Sequence, residues 1–195
     1  MVNDKIDEAE HSCQPEWVMG GIATGAITSV VEEVIDGVST ARVAMLDIVA
    51  RLTTGREMPD GTVGPAGNVL VVGEEDDVRL LKGMEADLER VDLVRPDQGF
   101  TIPDGIENLI DKVGELKPRL VVIPGLVGAT SPGINVAQAP DLDVVLNALD
   151  HLTGCGCAVL VVISVFRRRE ALAILQRCAD DDSGDPAPAE GVLRW

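Results

Sequence analysis

The sequence Asn68-Val69-Leu70-Val71-Val72-Gly73-Glu74-Glu75-Asp76-Asp77 decides the fold of this chain. Its four consecutive aliphatic residues predict a strand that is buried on both faces, as the strands of a parallel sheet are. Four acidic residues follow at the carboxyl end of this strand, and a helix is predicted from there to about Arg90. A buried strand that leads directly into a helix is the repeating unit of α/β proteins.

The same alternation of strand and helix continues along the chain. Further strands are predicted at Ala26–Val31, Asp92–Val94, Leu120–Ile123 and Cys157–Ser164. Further helices are predicted from Ser39 or Thr40 to about Leu52, at Ile106–Leu116, at Asp141–Leu152 and from Arg167 to about Cys178, with a long Gly/Ala/Pro loop over residues 125–139. This order predicts an α/β three-layer sandwich with a mostly parallel central sheet flanked by helices.

Length and composition predict one domain with two tails. The 195 residues suit a single α/β domain, which we place at residues 16–179. Residues 1–15 are polar and acidic and are predicted to form a flexible arm, and residues 180–195 a disordered acidic tail. Hydrophobic residues make up 46% of the chain but aromatic residues only 2%, so the core must be built from aliphatic side chains.

Charge narrows the range of partners. The formal net charge of −17 disfavours direct binding to nucleic acid and to anionic membranes. No apolar run approaches the ~20 residues of a membrane span, and the acidic N-terminus does not have the pattern of a signal peptide, so a cytoplasmic protein is expected. Cys155 and Cys157 follow His151 at a spacing that is not a standard zinc pattern, and no metal site is predicted from them.

The segment between the first strand and its helix has the position of a phosphate-binding loop. It reads Glu32-Glu33-Val34-Ile35-Asp36-Gly37-Val38-Ser39-Thr40, whereas a working loop reads G-x-x-x-x-G-K-[ST]. The glycines of that motif let backbone N–H groups surround phosphate, and its lysine neutralises phosphate charge. Here Glu32 stands at the first glycine and Val38 at the lysine, so only Gly37, Ser39 and Thr40 match.

The ordered set of segments resembles the RecA-like P-loop ATPases of the plasmid replicative-helicase type. The resemblance is carried by residues 17–25, 46–55, 59–61, 67–77, 120–123 and 158–162. It implies a RecA-like fold, with nucleotide and Mg²⁺ at the loop. By this resemblance Gly37, Ser39, Thr40 and Arg42 would be the remnant cofactor-binding residues. Glu75 would be the catalytic residue that polarises the attacking water.

Three departures from that family affect its chemistry. The phosphate-loop lysine is replaced by Val38, or by Ala41 if the loop is aligned without a gap from the helix side. Pro124 stands where the aspartate that helps to hold Mg²⁺ should follow the strand, and proline cannot replace a carboxylate. Ser164 stands where the family often has histidine.

Three hypotheses follow. The first is a degenerate, non-hydrolysing RecA-like protein that binds neither ATP nor metal and acts as a structural or regulatory partner in an assembly, with protein partners or as a homo-oligomer. The second is an ATP-binding protein or ATPase with a nonstandard phosphate loop, linked to DNA replication or recombination. In that case Arg42 replaces the lysine, Glu75 is the base, and ATP and Mg²⁺ are the cofactors. The third is an acidic interaction module that docks a partner through its tail or through Arg167-Arg168-Arg169.

Overall fold

A parallel sheet forms the centre of the computed structural model, which describes residues 17–33 and 39–165. A short antiparallel pair, β1 (Trp17–Met19) and β2 (Ile22–Ala23), precedes it. The central sheet has five strands, and all of their pairings are parallel. Its strands are β3 (Ile27–Glu33), β4 (Val69–Val72), β5 (Val91–Val94), β6 (Leu120–Ile123) and β7 (Ala158–Val165), and they lie in the order β3-β7-β6-β4-β5.

Helices cover both faces of this sheet. The described helices are α1 (Thr40–Thr54), α2 (Glu75–Gly83), α3 (Ile106–Leu116), α4 (Leu126–Ala129) and α5 (Ala139–Thr153), with short 3-10 turns at Leu88–Arg90 and Pro96–Gln98. Buried side chains of α1 and α2 pack on one face, and those of α3, α4 and α5 pack on the other. The prediction of a three-layer α/β sandwich with a parallel sheet is therefore confirmed.

The aliphatic strand that opened the sequence analysis supplies both cores. Val69 and Val71 of β4 pack with α1 and α2, whereas Leu70 and Val72 pack with α3, α4 and α5. All four side chains are at most 1% exposed. Successive side chains of a strand point to opposite faces, so a strand between two helical layers must be apolar at every position.

Some predicted boundaries were wrong. The helix after β4 ends at Gly83 and not near Arg90, because Glu85 takes up a left-handed conformation with a φ of 60°. The segment 125–139 is not a continuous loop, since α4 lies within it. The first strand extends through Glu33, so Glu32 belongs to β3 rather than to the loop that follows.

The β1–β2 pair was not predicted from the sequence. Val18, Met19 and Ile22 are at most 6% exposed and pack into the core on the α1 and α2 side of the sheet. The side chain of Thr28 in β3 donates a hydrogen bond to the Gly21 carbonyl at 3.1 Å, which ties the pair to the central sheet. Among the described residues, no helix combines the length and apolar character needed to cross a bilayer.

The two cysteines near β7 are expected to differ in reactivity. Cys155 is exposed, whereas Cys157 is buried and its thiol donates to the Leu152 carbonyl at 3.3 Å. Burial raises the pKa of Cys157 from its ordinary 9.0 to about 11. We expect iodoacetamide at neutral pH to modify Cys155 at least about tenfold faster than Cys157, because thiolate is the reacting species. Peptide mapping by mass spectrometry measures both rates, and comparable rates in the folded protein would contradict the buried position.

The raised pKa of Cys157 also predicts a loss of stability in alkali. The folded state holds this thiol protonated, so its contribution to stability is fully present below pH 9. That contribution is lost as the pH rises from about 9 to about 11, because the unfolded chain then releases the proton first. Urea denaturation of the wild type and of Cys157→Ala across this range should give curves that converge as the pH rises.

Candidate functional site

The start of α1 is formed by Ser39. Its backbone is extended, and its Oγ accepts a hydrogen bond from the Arg42 N–H at 3.0 Å. This is the geometry of a helix N-cap, which satisfies one of the N–H groups that the first turn leaves unpaired. Thr40 is the first helical residue and is exposed. Gly37 lies outside the described residues.

The carboxylate of Glu32 occupies the N-terminus of α1. Its Oε2 accepts the Ala41 N–H at 3.0 Å. Its Oε1 accepts hydrogen bonds from the Ser39 hydroxyl and, at 3.1 Å, from the Ser164 hydroxyl. Glu32 and Ser164 are register partners on the adjacent strands β3 and β7, and Glu32 is partly buried. One side chain therefore joins the ends of two strands to the start of a helix.

This carboxylate takes the role that a bound anion has in phosphate-binding proteins. The N-terminus of a helix carries a partial positive charge and unpaired N–H groups, which together attract anions. The Ala41 N–H and the Ser39 hydroxyl are donors at this end of α1, and both are bonded to Glu32. The site is thus neutralised from within the chain.

Arg42 is held by a buried carboxylate. Its Nε lies 2.8 Å from Oδ1 of Asp77, whose side chain is only 2% exposed. The other oxygen of Asp77 accepts the Glu74 N–H at 2.8 Å, at the start of α2. An ion pair with one partner buried this deeply is costly to break, because the carboxylate would lose its compensating charge. Arg42 therefore links α1 to α2.

A cleft of about 540 Å³ lies at the carboxyl ends of β4, β5 and β6. Arg42, Glu75, Arg95, Pro124, Gly125 and Gly128 are among the residues that line it. The chain leaves β4 toward the α1 and α2 face, but leaves its neighbours β5 and β6 toward the other face. Adjacent strands whose connections diverge in this way leave a crevice, which is where open α/β sheets bind ligands.

The cleft has mixed charge. Its charged lining residues are the guanidinium groups of Arg42 and Arg95 and the carboxylates of Glu74, Glu75, Asp77 and Asp97, which gives a formal charge of −2. Arg95 Nε lies 3.3 Å from Asp97 Oδ1. Glu75 is the first residue of α2 and is exposed. Within the described residues, no group of three or more His, Cys, Asp or Glu side chains is placed to hold a metal ion.

The residues predicted for the site fall into two places. Arg42 and Glu75 line the cleft together, as a shared site requires. Ser39 instead caps α1 and bonds to Glu32. Sequence reasoning missed Asp77 as the partner of Arg42 and did not predict that Glu32 accepts hydrogen bonds within the fold. The four consecutive acidic residues after β4 offered no signal that one of them, Asp77, would be buried.

A scan against protein-family models and a search of curated proteins found no match to this chain. Its function therefore has to be argued from the geometry described above.

Proposed function

We propose that this chain is a RecA-like protein that has lost ATP hydrolysis and acts as a structural or regulatory partner in a protein assembly. The observation that carries the proposal is the Glu32 carboxylate at the N-terminus of α1, bonded to Ser39, Ala41 and Ser164. A nucleotide phosphate would need the same donors. The chain itself places a carboxylate at the start of α1, where the resemblance expects the phosphates of the substrate.

Electrostatics oppose a second anion there. Two unit charges about 4 Å apart repel by about 4 kcal/mol at the effective dielectric constant of a protein surface, which is about 20. A triphosphate carries several such charges, and Val38 or Ala41 stands where a lysine would offset them. Phosphate could bind only after Glu32 left its three donors.

One position that the resemblance assigns to Mg²⁺ coordination is occupied by proline. Pro124 follows β6 and offers no carboxylate toward Mg²⁺. Arg42, the proposed substitute for the lysine, is paired with Asp77. Both observations support a chain that keeps the RecA-like fold but no longer hydrolyses ATP. The net charge of −17 favours a protein partner or a second copy of this chain over nucleic acid.

The second candidate is an ATP-binding protein or ATPase with a nonstandard loop, in the setting of DNA replication or recombination. The observation that favours it is that Arg42 and Glu75 line one cleft. In this reading Arg42 would contact phosphate and Glu75 would orient the attacking water. It requires Glu32 to leave the donors of α1, and it requires Arg42 to contact phosphate through guanidinium N–H groups that Asp77 does not take.

Calorimetric titration of the full chain with ATP and Mg²⁺ separates the two candidates. We expect no binding heat up to about 1 mM nucleotide, which corresponds to a binding free energy weaker than about −4 kcal/mol. Micromolar binding by the wild type would overturn the proposal and support the second candidate. A RecA-like protein with an intact loop, titrated in the same buffer, is the positive control.

A further inference from the structure

Two exposed glycines, Gly125 and Gly128, line the cleft at the strand ends. A Cβ built on Gly125 or on Gly128 would meet no atom within 4 Å. Neither residue has a positive φ, so the backbone conformation does not require glycine at these positions. Gly128 lies inside helix α4, where glycine is among the least favourable residues. Neither packing nor backbone conformation therefore requires glycine at these two positions.

Gly73 also lines the cleft, but at this position packing requires glycine. A Cβ on Gly73 would collide with the Asp77 carboxylate, so packing explains that glycine. Packing gives no such reason at Gly125 and Gly128. The volume of about 540 Å³ lies in the range of small-molecule sites, and the position at diverging strand connections is where such sites occur.

The charges of the cleft define the kind of small molecule. Asp77 contacts Arg42 at Nε, and the Asp97 carboxylate lies 3.3 Å from both Nε and Nη2 of Arg95. A guanidinium has five N–H donors, so both arginines keep donors for a ligand that these carboxylates do not take. Glu74 and Glu75 are exposed carboxylates on the same wall. A purely anionic ligand would be repelled by the glutamates, and a purely cationic ligand would leave the arginines without a new partner.

We propose that this cleft binds a small zwitterion of the amino-acid class that carries an additional cationic group. Its carboxylate faces Arg95 and Arg42, and its ammonium groups face Glu74 and Glu75. The formal charge of −2 on the lining residues favours a ligand whose net charge is positive. This site is separate from the donors occupied by Glu32, but the inference rests on the proposed function, because the second candidate would use Arg42 and Glu75 of the same cleft for ATP. Titration with ATP tests the proposed function and titration with L-lysine tests the inference, so the failure of one is distinguishable from the failure of the other.

Titration calorimetry of the full chain with three related probes tests the charge requirement. L-lysine carries the carboxylate and both ammonium groups that the proposed ligand needs. Cadaverine lacks the carboxylate, and 6-aminohexanoate lacks the α-ammonium group. We expect L-lysine to bind with a Kd of about 1 mM or below and each truncated probe to bind at least about tenfold more weakly. No binding of L-lysine at about 10 mM, or equal binding of all three probes, would overturn the proposal.

Two glycine variants test whether L-lysine binds in the cleft. Gly128→Leu puts a side chain into the cleft, whereas Gly114→Leu puts the same side chain on the exposed surface of α3, where a Cβ also meets no atom within 4 Å. We expect Gly128→Leu to weaken L-lysine binding by at least about tenfold and Gly114→Leu to leave it unchanged. Unchanged affinity in a folded Gly128→Leu protein would overturn the location.

Glu75→Gln is the second variant, because Glu75 is exposed and its replacement is expected to leave the fold intact. We expect this change to reduce the affinity for L-lysine about tenfold and to narrow the difference between L-lysine and 6-aminohexanoate. An affinity equal to that of the wild type would remove Glu75 from the site and contradict the proposed arrangement.

Discussion

Glu32→Ala is expected to lower the free energy of unfolding by about 3 kcal/mol. The change removes the acceptor of hydrogen bonds from the Ser39 hydroxyl, the Ala41 N–H and the Ser164 hydroxyl. Hydrogen bonds to a charged group contribute about 1.5–3 kcal/mol each, and solvent at this partly buried site compensates some of the loss. Urea denaturation, followed by circular dichroism, measures the difference.

Glu32→Gln is the matched control. It keeps the length of the side chain and one oxygen acceptor but removes the charge, so we expect a loss of only about 1 kcal/mol. If Glu32→Ala is within about 0.5 kcal/mol of the wild type, the carboxylate does not hold α1 to the strand ends. Glu32→Ala also exposes the donors of α1, so phosphate should stabilise this variant more than the wild type.

Gly105→Ala is expected to destabilise the fold by about 3 kcal/mol or more. Gly105 is buried and precedes α3. A Cβ there would collide with the Gly99 carbonyl oxygen and lie 2.8 Å from both the backbone N and O of Thr101. These are backbone atoms, and the Gly99 oxygen already accepts a hydrogen bond from Asn108 at 2.7 Å, so the loop cannot yield without losing contacts.

Gly114→Ala on the same helix isolates the steric effect. Gly114 is exposed, and its Cβ would meet no atom within 4 Å. Alanine favours a helix over glycine, so we expect Gly114→Ala to raise the free energy of unfolding by about 0.5–1 kcal/mol. Equal effects of the two variants in thermal or urea denaturation would show that the close approach at Gly105 does not constrain the native state.

The central sheet was predictable because two of its strands consist entirely of aliphatic residues. Leu120–Ile123 and Val69–Val72 are aliphatic at every position, and only a strand covered on both faces can bury such a run. The helix at Ile106–Leu116 was predicted with its correct bounds, since its apolar residues recur at helical spacing and Lys117-Pro118 ends it. The predicted end of α2 was wrong, because no residue near Glu85 in the sequence indicates that its backbone is left-handed.

The site was predictable only in part. Ser39 is a common N-cap residue, and its position before an amphipathic run marked the start of α1. Arg42 and Glu75 were selected by the family resemblance, and they do line one cleft. The pairing of Arg42 with Asp77 joins residues that are 35 positions apart in the sequence. Local sequence patterns do not reveal contacts over such a separation.

The α/β class and the parallel sheet could be derived from the sequence alone, and so could the absence of lysine and aspartate at the positions where the resemblance to RecA-like ATPases expects them. These features depend on residue type and on short spacing, which a linear chain displays directly. Only the tertiary structure decided what Glu32 does. Its partner Ser164 lies 132 residues away, and the pairing of β3 with β7 brings both side chains to the start of α1. The carboxylate that stands at a glycine position of the phosphate-loop pattern is an acceptor that the fold itself uses.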